Sequence, residues 1–244
     1  MQALITGAST GIGYHMALYL SNIGYDLILV SRNINTIDKT SFKTNIKTYS
    51  YDLSNTDNCY KLYNKIKNEK IDIIINNAGF GAFGNYQEDN LEKEINMIDL
   101  NIKGSHILTK LFINNSNTKH ILNVSSTAGI LPAGPLMSTY YATKSYIYSY
   151  SLALYEELRR NNSNAHISIL CPGPVATNFN NRMGVNIGKG KKPEKVAKYA
   201  IKKMLKNKLV IIPGIKEKLG IFLTRFIPTK LLLKITYNYQ TKKR

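Results

Sequence analysis

Tyr140 and Lys144 stand four residues apart inside 139–160, a stretch that reads as one long helix, so both side chains leave the same helical face. A free phenol, with a pKa near ~10, is a poor base at neutral pH. An ammonium one turn away favours the phenolate and lowers that value. Such a pair lets a tyrosine exchange a proton with a carbonyl or alcohol group undergoing hydride transfer. Ser125 and Ser126 end the apolar run before that helix, where a hydroxyl can bond the substrate oxygen. The spacing alone is weak evidence, because a chain with 17 Tyr and many Lys produces such pairs by chance.

A second group of residues suits phosphate. Thr6-Gly7-Ala8-Ser9-Thr10-Gly11-Ile12-Gly13 joins a short apolar run to a segment with helical periodicity. Its glycines let the backbone turn tightly and approach a pyrophosphate, and the helix N-terminus adds N–H donors and a positive dipole end. A purely structural turn is the plainer alternative; the strand before and helix after favour the dinucleotide reading. The next apolar run ends Val30-Ser31-Arg32 with no acid. An Asp or Glu there selects NAD, whereas an arginine accommodates a 2′-phosphate. Ser31 and Arg32 therefore predict NADP(H), against the alternative of a solvated arginine. Asp52-Leu53 follows the third run, where a carboxylate can meet the adenine amino group. Asn76-Asn77-Ala78-Gly79 follows the fourth, where small residues let the backbone pass under the adenosine ribose. For Asn76 itself, a structural tie between strands is expected.

The elements that must position these residues alternate along the chain. Apolar runs at Ala3–Ile5, Asp26–Val30, Ile46–Tyr51, Ile71–Ile75, His120–Val124, Ile167–Cys171 and Leu209–Ile212 read as strands. Between them, 12–23, 55–68, 91–114, 139–160 and 193–206 read as helices. Continuous apolar strands imply a sheet buried on both faces, hence a doubly wound parallel α/β fold of about seven strands. One catalytic domain is expected over 1–212, with a basic amphipathic tail over 213–244.

Composition bounds the rest. The 244 residues are 43% hydrophobic, too apolar for a disordered chain. No apolar run approaches the ~18 residues that span a bilayer. Strand-like residues begin at Gln2, so no leader peptide is expected. The two cysteines, Cys59 and Cys171, suit neither a disulfide framework nor a metal site, so a reducing cytoplasm and no metal are expected. The net charge of +18 is uneven: residues 189–244 hold 17 Lys/Arg against 2 Asp/Glu. A bias of Lys over Arg follows from AT-rich coding, but its crowding into the last quarter does not.

Taken together, the chain resembles the short-chain dehydrogenase/reductase family, in its single-domain branch. The matching pieces are TGASTGIG (6–13), DL (52–53), NNAG (76–79), NIKG (101–104), NVSS (123–126), YYATK (140–144) and CPGPVAT (171–177). They occur in family order and are jointly specific. Within the family, residues 80–101 and 135–149 resemble a bacterial and archaeal subgroup of varied specificity. The resemblance implies a Rossmann-type fold and catalytic residues Asn101, Ser126, Tyr140 and Lys144. Tyr140 would be the acid in carbonyl reduction. Lys144 would bond the nicotinamide ribose, Ser126 would orient the substrate oxygen, and Asn101 would hold a relay water at a kink. It further implies cofactor contacts from Gly7, Ser9, Thr10, Gly11, Ile12, Gly13, Ser31, Arg32, Asp52, Leu53, Asn77, Ala78 and Gly79. Tyr140, Lys144, Pro172, Gly173, Val175 and Thr177 would complete them. Ser126 lies one residue further from Tyr140 than the family's usual spacing, so Thr127 is an alternative. Tyr141 has no lysine four residues on and is expected to pack or line the pocket. A small carbonyl or alcohol substrate and a homodimer or homotetramer built on the helices 91–114 and 139–160 follow. The rivals are a non-catalytic dinucleotide sensor and a membrane-peripheral protein whose dinucleotide part is vestigial.

Two segments carry least family information. The loop 178–192 is expected to be a lid, with glycines 184, 188 and 190 making it flexible and Phe179 and Met183 its apolar contacts. The tail has a helix-spaced stripe of Ile215, Leu219, Phe222, Leu223, Phe226 and Ile227, with Lys216, Lys218 and Arg225 off it. Pro228 breaks it, a second apolar patch spans 231–239, and Lys242-Lys243-Arg244 closes the chain. That apolar face can cover the pocket or a subunit interface, or lie in a membrane interface. No base-stacking motif supports nucleic acid.

Overall fold

The apolar runs become parallel strands because both their faces are covered. The computed structural model describes residues 1–87, 90–115, 117–132, 134–183 and 190–242. Strands β1 (Gln2–Thr6), β2 (Asp26–Ser31), β4 (Ile73–Asn76), β5 (His120–Val124) and β6 (His166–Leu170) are buried along almost their whole length. The two others are β3 (Ile46–Ser50), polar and half-exposed, and β7 (Val210–Ile211), only two residues long. These lie at the sheet's edges, in the order β3-β2-β1-β4-β5-β6-β7, with every pairing parallel. A short and a polar edge leave little for another chain to pair with.

Successive side chains of β1 divide between two cores, as the period of a strand requires. Ala3 and Ile5 join Met16, Leu20, Ala197 and Ile201 on one face. Leu4 joins Leu62, Ile66, Leu108, Phe112 and Leu154 on the other. The first face is covered by α1 (Gly11–Asn22) and α7 (Pro193–Met204). The second is covered by α2 (Thr56–Ile66), α4 (Ser105–Ile113) and α5 (Ser138–Arg160). The helix expected over 91–114 is α3 (Leu91–Ile98) and α4 joined by a π-helical turn, Asp99–Gly104. Wide turns of this kind gather at functional sites. At Ile71-Asp72 the chain is not yet strand: the Asp72 carboxylate instead accepts from the Gln2 amide at 2.9 Å and pairs with Lys119.

β1 and β4 are neighbours, but the chain visits β2 and β3 between them. The strand order reverses there, and a crevice opens beyond the carboxyl ends of the two strands. After β6 come a short helix, α6 (Asn178–Met183), then α7 and β7. The tail then forms α8 (Ile215–Thr224) and α9 (Thr229–Thr241), separated at Pro228 as expected. Glycines 184 and 188 of the expected lid, and Lys243 and Arg244 of the closing basic run, lie outside the described residues.

Candidate functional site

At the switch between β1 and β4 the glycine turn is fixed by side chains from β4's loop. Asn77 donates its amide to the carbonyls of Thr6 and Gly7, each at 3.0 Å. The Thr6 hydroxyl accepts from the amides of Asn77 and Ala78, also at 3.0 Å. Gly7 has φ +63°, and a Cβ there would meet the Ala78 Cα at 2.8 Å. A Cβ on Gly13 would stand 2.4 Å from the Asn77 amide and 2.5 Å from the Gly7 carbonyl oxygen. Only glycine allows the turn, the helix and the β4 loop to approach this closely. Thr10 precedes α1 without a capping side-chain bond, and the first turn carries no acid. The positive end of that helix is therefore left for an external anion. At β2's tip the Ser31 hydroxyl donates to Ser9 at 2.8 Å, beside the guanidinium of Arg32. Arg32 lies 3.8 Å from Asp52, a half-exposed ion pair of small worth. Asp52 also accepts from the amide and hydroxyl of Ser54, at 3.0 and 2.8 Å.

The other end of the same crevice holds the tyrosine–lysine pair. Tyr140 and Lys144 are both buried on α5. The Lys144 ammonium donates to the Val124 carbonyl at 2.9 Å and lies 5.9 Å from the Tyr140 ring centre. Burial lowers the lysine to about 8. Burial also pushes the Tyr140 phenol up to about 12, and its hydrogen bond with Ser126 pulls the other way. The shift runs opposite to the lowering expected from the neighbouring ammonium, because desolvation of the phenolate dominates. Between Ser126 and Thr127, Ser126 is the residue that reaches the phenol; its hydroxyl also accepts from the Ala128 amide at 3.1 Å. The Thr127 amide is spent on the Pro172 carbonyl. Asn101 sits in the π turn, almost fully buried. Its amide donates to the Phe80 carbonyl at 2.9 Å and to Thr143 at 3.0 Å, while its carbonyl accepts from the Phe80 amide at 3.0 Å. Asn101 thus clamps β4's loop to α5.

A single cleft of about 540 Å³ runs between the two ends. The family model for short chain dehydrogenases matches residues 1–187. The chain belongs to this family. It is 32% identical over 199 residues to an uncharacterized oxidoreductase of Staphylococcus epidermidis, covering 79% of this chain and 84% of that one. Among solved structures it superimposes on a short-chain dehydrogenase of Sphingobium yanoikuyae in complex with NADPH. The TM-score is 0.80 at 24% identity, over 93% of this chain and 96% of the other. A Burkholderia phymatum short-chain dehydrogenase/reductase in complex with NAD gives TM-score 0.80 at 23% identity, over 91% and 92%. The seven-stranded doubly wound sheet is the fold they share.

In this dehydrogenase family member nearly all the expected site residues border the cleft. Gly7, Ser9, Thr10, Gly11, Ile12, Ser31, Arg32, Asp52, Leu53, Asn77, Ala78 and Gly79 line it. So do Ser126, Tyr140, Lys144, Pro172, Gly173, Val175 and Thr177. Gly13 and Asn101 do not; they stand behind the wall and hold it. Asn76 ties strands, as expected, donating to Thr109 and Asn123.

The far end is apolar: Phe80, Met137, Tyr141, Phe179 and Met183 close around Tyr140. The residue that sequence reasoning missed is Gln240. It lies almost wholly buried on α9, borders the cleft, and donates to the Tyr141 hydroxyl at 3.1 Å. The tail is also held where Glu217 pairs with Lys191 and packs on Gly173. The face that packs on the body is therefore not the apolar stripe. Glu217, Ile221 and Thr224 turn inward, while Ile215, Leu219, Phe222, Leu223 and Phe226 are exposed.

Proposed function

We propose that the protein is an NADP(H)-dependent oxidoreductase that reduces the carbonyl of a largely apolar small molecule, with Tyr140 as proton donor. The observation that carries this is where Tyr140 stands. Its phenol, bonded to Ser126 and beside Lys144, lies where the glycine-walled end of the cleft meets the apolar end. A dinucleotide fits the first end: Gly7 and Gly13, where a Cβ would strike the β4 loop and the turn itself, keep the turn tight against the strand ends, and α1 presents an uncapped positive terminus. The solved relatives carry NADPH in one case and NAD in the other, which supports a nicotinamide dinucleotide and leaves the choice to this chain's own residues. Ser9, Ser31 and Arg32 offer hydroxyls and a guanidinium with no acid at the strand tip, the chemistry of a 2′-phosphate site.

When bound, the nicotinamide supplies the hydride. The protein's part is to hold and protonate the carbonyl oxygen. Ser126 orients that oxygen against Tyr140. Burial keeps the phenol protonated at neutral pH, which suits a donor and so the direction of reduction. The Lys144 ammonium, fixed by Val124, balances the phenolate left after donation. Asn101 holds Phe80 and Thr143 and so keeps the wall beside Lys144 in place. In a homodimer or homotetramer, the face of α5 that carries the half-exposed Tyr146, stacked on Tyr150, would meet the second copy.

Tyr140→Phe tests the reading. NADPH oxidation with a panel of aldehydes and ketones should fall by about 10²–10⁴-fold, the usual worth of a positioned acid. NADPH binding, read by fluorescence, should stay near wild type. Wild-type turnover by Tyr140→Phe would remove the assignment.

A further inference from the structure

The tail exposes the side that a soluble helix normally hides. On α8 the residues facing the body are Glu217, Ile221 and Thr224, at i, i+4 and i+7. Diametrically opposite run Leu219, Phe222, Leu223 and Phe226, each more than half exposed, with the Phe222 and Phe226 rings edge to face at 5.4 Å. Lys218 and Arg225 flank that stripe on one side and Lys216 on the other. On α9, Leu232, Thr236 and Gln240 turn inward, whereas Leu231, Ile235 and Tyr239 form a second exposed row that ends beside Lys242. Residues 213–244 hold eight Lys/Arg and one acid, Glu217. That acid is turned inward against Lys191. The outer surface of the described tail is therefore apolar and cationic, with no exposed carboxylate.

We propose that this outer face of α8 and α9 docks in the plane of an anionic lipid bilayer. An apolar stripe between flanking cations matches an interface whose acyl region lies beneath a negatively charged headgroup layer. A second copy of the chain fits the face less well. A two-fold contact pairs a patch with itself, which would set Lys216, Lys218 and Arg225 against their own kind. Nucleic acid would use the cations and leave Leu219, Phe222, Leu223 and Phe226 without apolar contacts. The inner side of the same tail reaches the cleft through Gln240 and Tyr141, so a docked molecule holds the substrate end of its cleft beside the tail that meets the lipid. That last consequence rests on the catalytic reading above; the docking itself does not.

The test is co-sedimentation of the full chain with vesicles of phosphatidylcholine mixed with phosphatidylglycerol, and with vesicles of phosphatidylcholine alone. The expected result is sedimentation with the anionic vesicles, weakened by high salt and by removal of phosphatidylglycerol. Lys218→Glu should lower the partition by at least about five-fold, the worth of one cation near such a surface. The double variant Phe222→Ser/Phe226→Ser, exposed and outside the cleft, should lower it by more than tenfold, with the melting temperature and NADPH binding unchanged. Equal recovery in the supernatant with and without anionic vesicles at low salt would overturn the proposal. So would unaltered vesicle binding by the double variant. A third result would also overturn it: self-association of the wild type that the double variant abolishes, without any vesicle binding, would assign the face to a second copy.

Discussion

The two ends of the cleft are built from different material. At the glycine end the walls are backbone: the β1 turn, the start of α1 and the loop after β4, locked by Thr6 and Asn77 through bonds of 3.0 Å. At the apolar end the walls are side chains from segments far apart in the chain, Phe80, Met137, Tyr141, Phe179, Met183 and Gln240. Backbone walls admit one kind of ligand and tolerate no added atom. Side-chain walls can be exchanged one residue at a time. The first end should therefore fail on substitution and the second should be tuned by it.

Gly13→Ala is the strongest way to break this contrast. Its Cβ would stand 2.4 Å from the Asn77 amide and 2.5 Å from the Gly7 carbonyl, and Asn77 cannot yield without releasing Thr6 and Gly7. Overpacking of this kind costs about 1–3 kcal/mol. The expected outcome is a lowered Tm and a cofactor affinity reduced well beyond tenfold. A variant that binds NADPH as the wild type does would show that this end is no more rigid than the other.

Arg32→Ala sharpens the contrast from within the glycine end. Arg32 is a side chain on a backbone-built wall, so its loss should change cofactor choice and nothing else. Hydrogen bonds to a charged group contribute about 1.5–3 kcal/mol. NADPH affinity should fall roughly ten- to hundredfold by titration while NADH binding stays unchanged. Its ion pair with Asp52 is half-exposed, so little stability is lost with it. An equal fall for both cofactors would assign Arg32 a general role and take away the ground for preferring NADP(H).

The same division explains what the chain reveals before it folds. The glycine turn, NNAG and the Ser126, Tyr140, Lys144 set are local patterns tied to strand ends and one helix face, and of the expected site residues all but the buried Gly13 and Asn101 border the cleft. Strand boundaries differ by a residue or two, as at Asp72, whose carboxylate takes the Gln2 amide just before β4 begins. The π turn at Asp99–Gly104 was legible only as a kink, because its hydrogen-bond shift leaves no periodicity of its own. Gln240 carried no signal: its partner Tyr141 lies 99 residues away, and no motif links them. The tail's apolar periodicity is legible in the sequence; which side of the helix faces the body is not. A moment gives the axis of a helix's asymmetry, and here Glu217, through Lys191, decides which side faces the body.

Lys144 links the two ends, and its titration should show in the rate. Burial lowers it to about 8 while Tyr140 stays protonated far above that. The charged form is the one that balances the phenolate formed on donation. Reduction should therefore be flat at lower pH and fall as pH rises through about 8, approaching tenfold per pH unit beyond it. A rate that instead climbs through that range would mean that the neutral amine is the working form.

The smallest effect is expected where the tail meets the cleft. Gln240 is the tail's polar contact with the pocket wall, donating to the Tyr141 hydroxyl at 3.1 Å in surroundings that are otherwise apolar. Gln240→Leu keeps much of the volume and removes that bond. A neutral hydrogen bond is worth about 1 kcal/mol, or roughly five-fold in an equilibrium. Tyr141 would then turn its hydroxyl toward the cleft without a protein donor, beside a more apolar wall. For ketones that bear a second polar group KM should rise by up to about five-fold, and for plain apolar ketones it should hold or fall. The kcat should not move, because Gln240 touches neither Ser126 nor Tyr140. A changed kcat with constant KM would mean that the tail acts on the reacting groups themselves. The apolar end would then be as tightly constrained as the glycine end, and the contrast between them would fail.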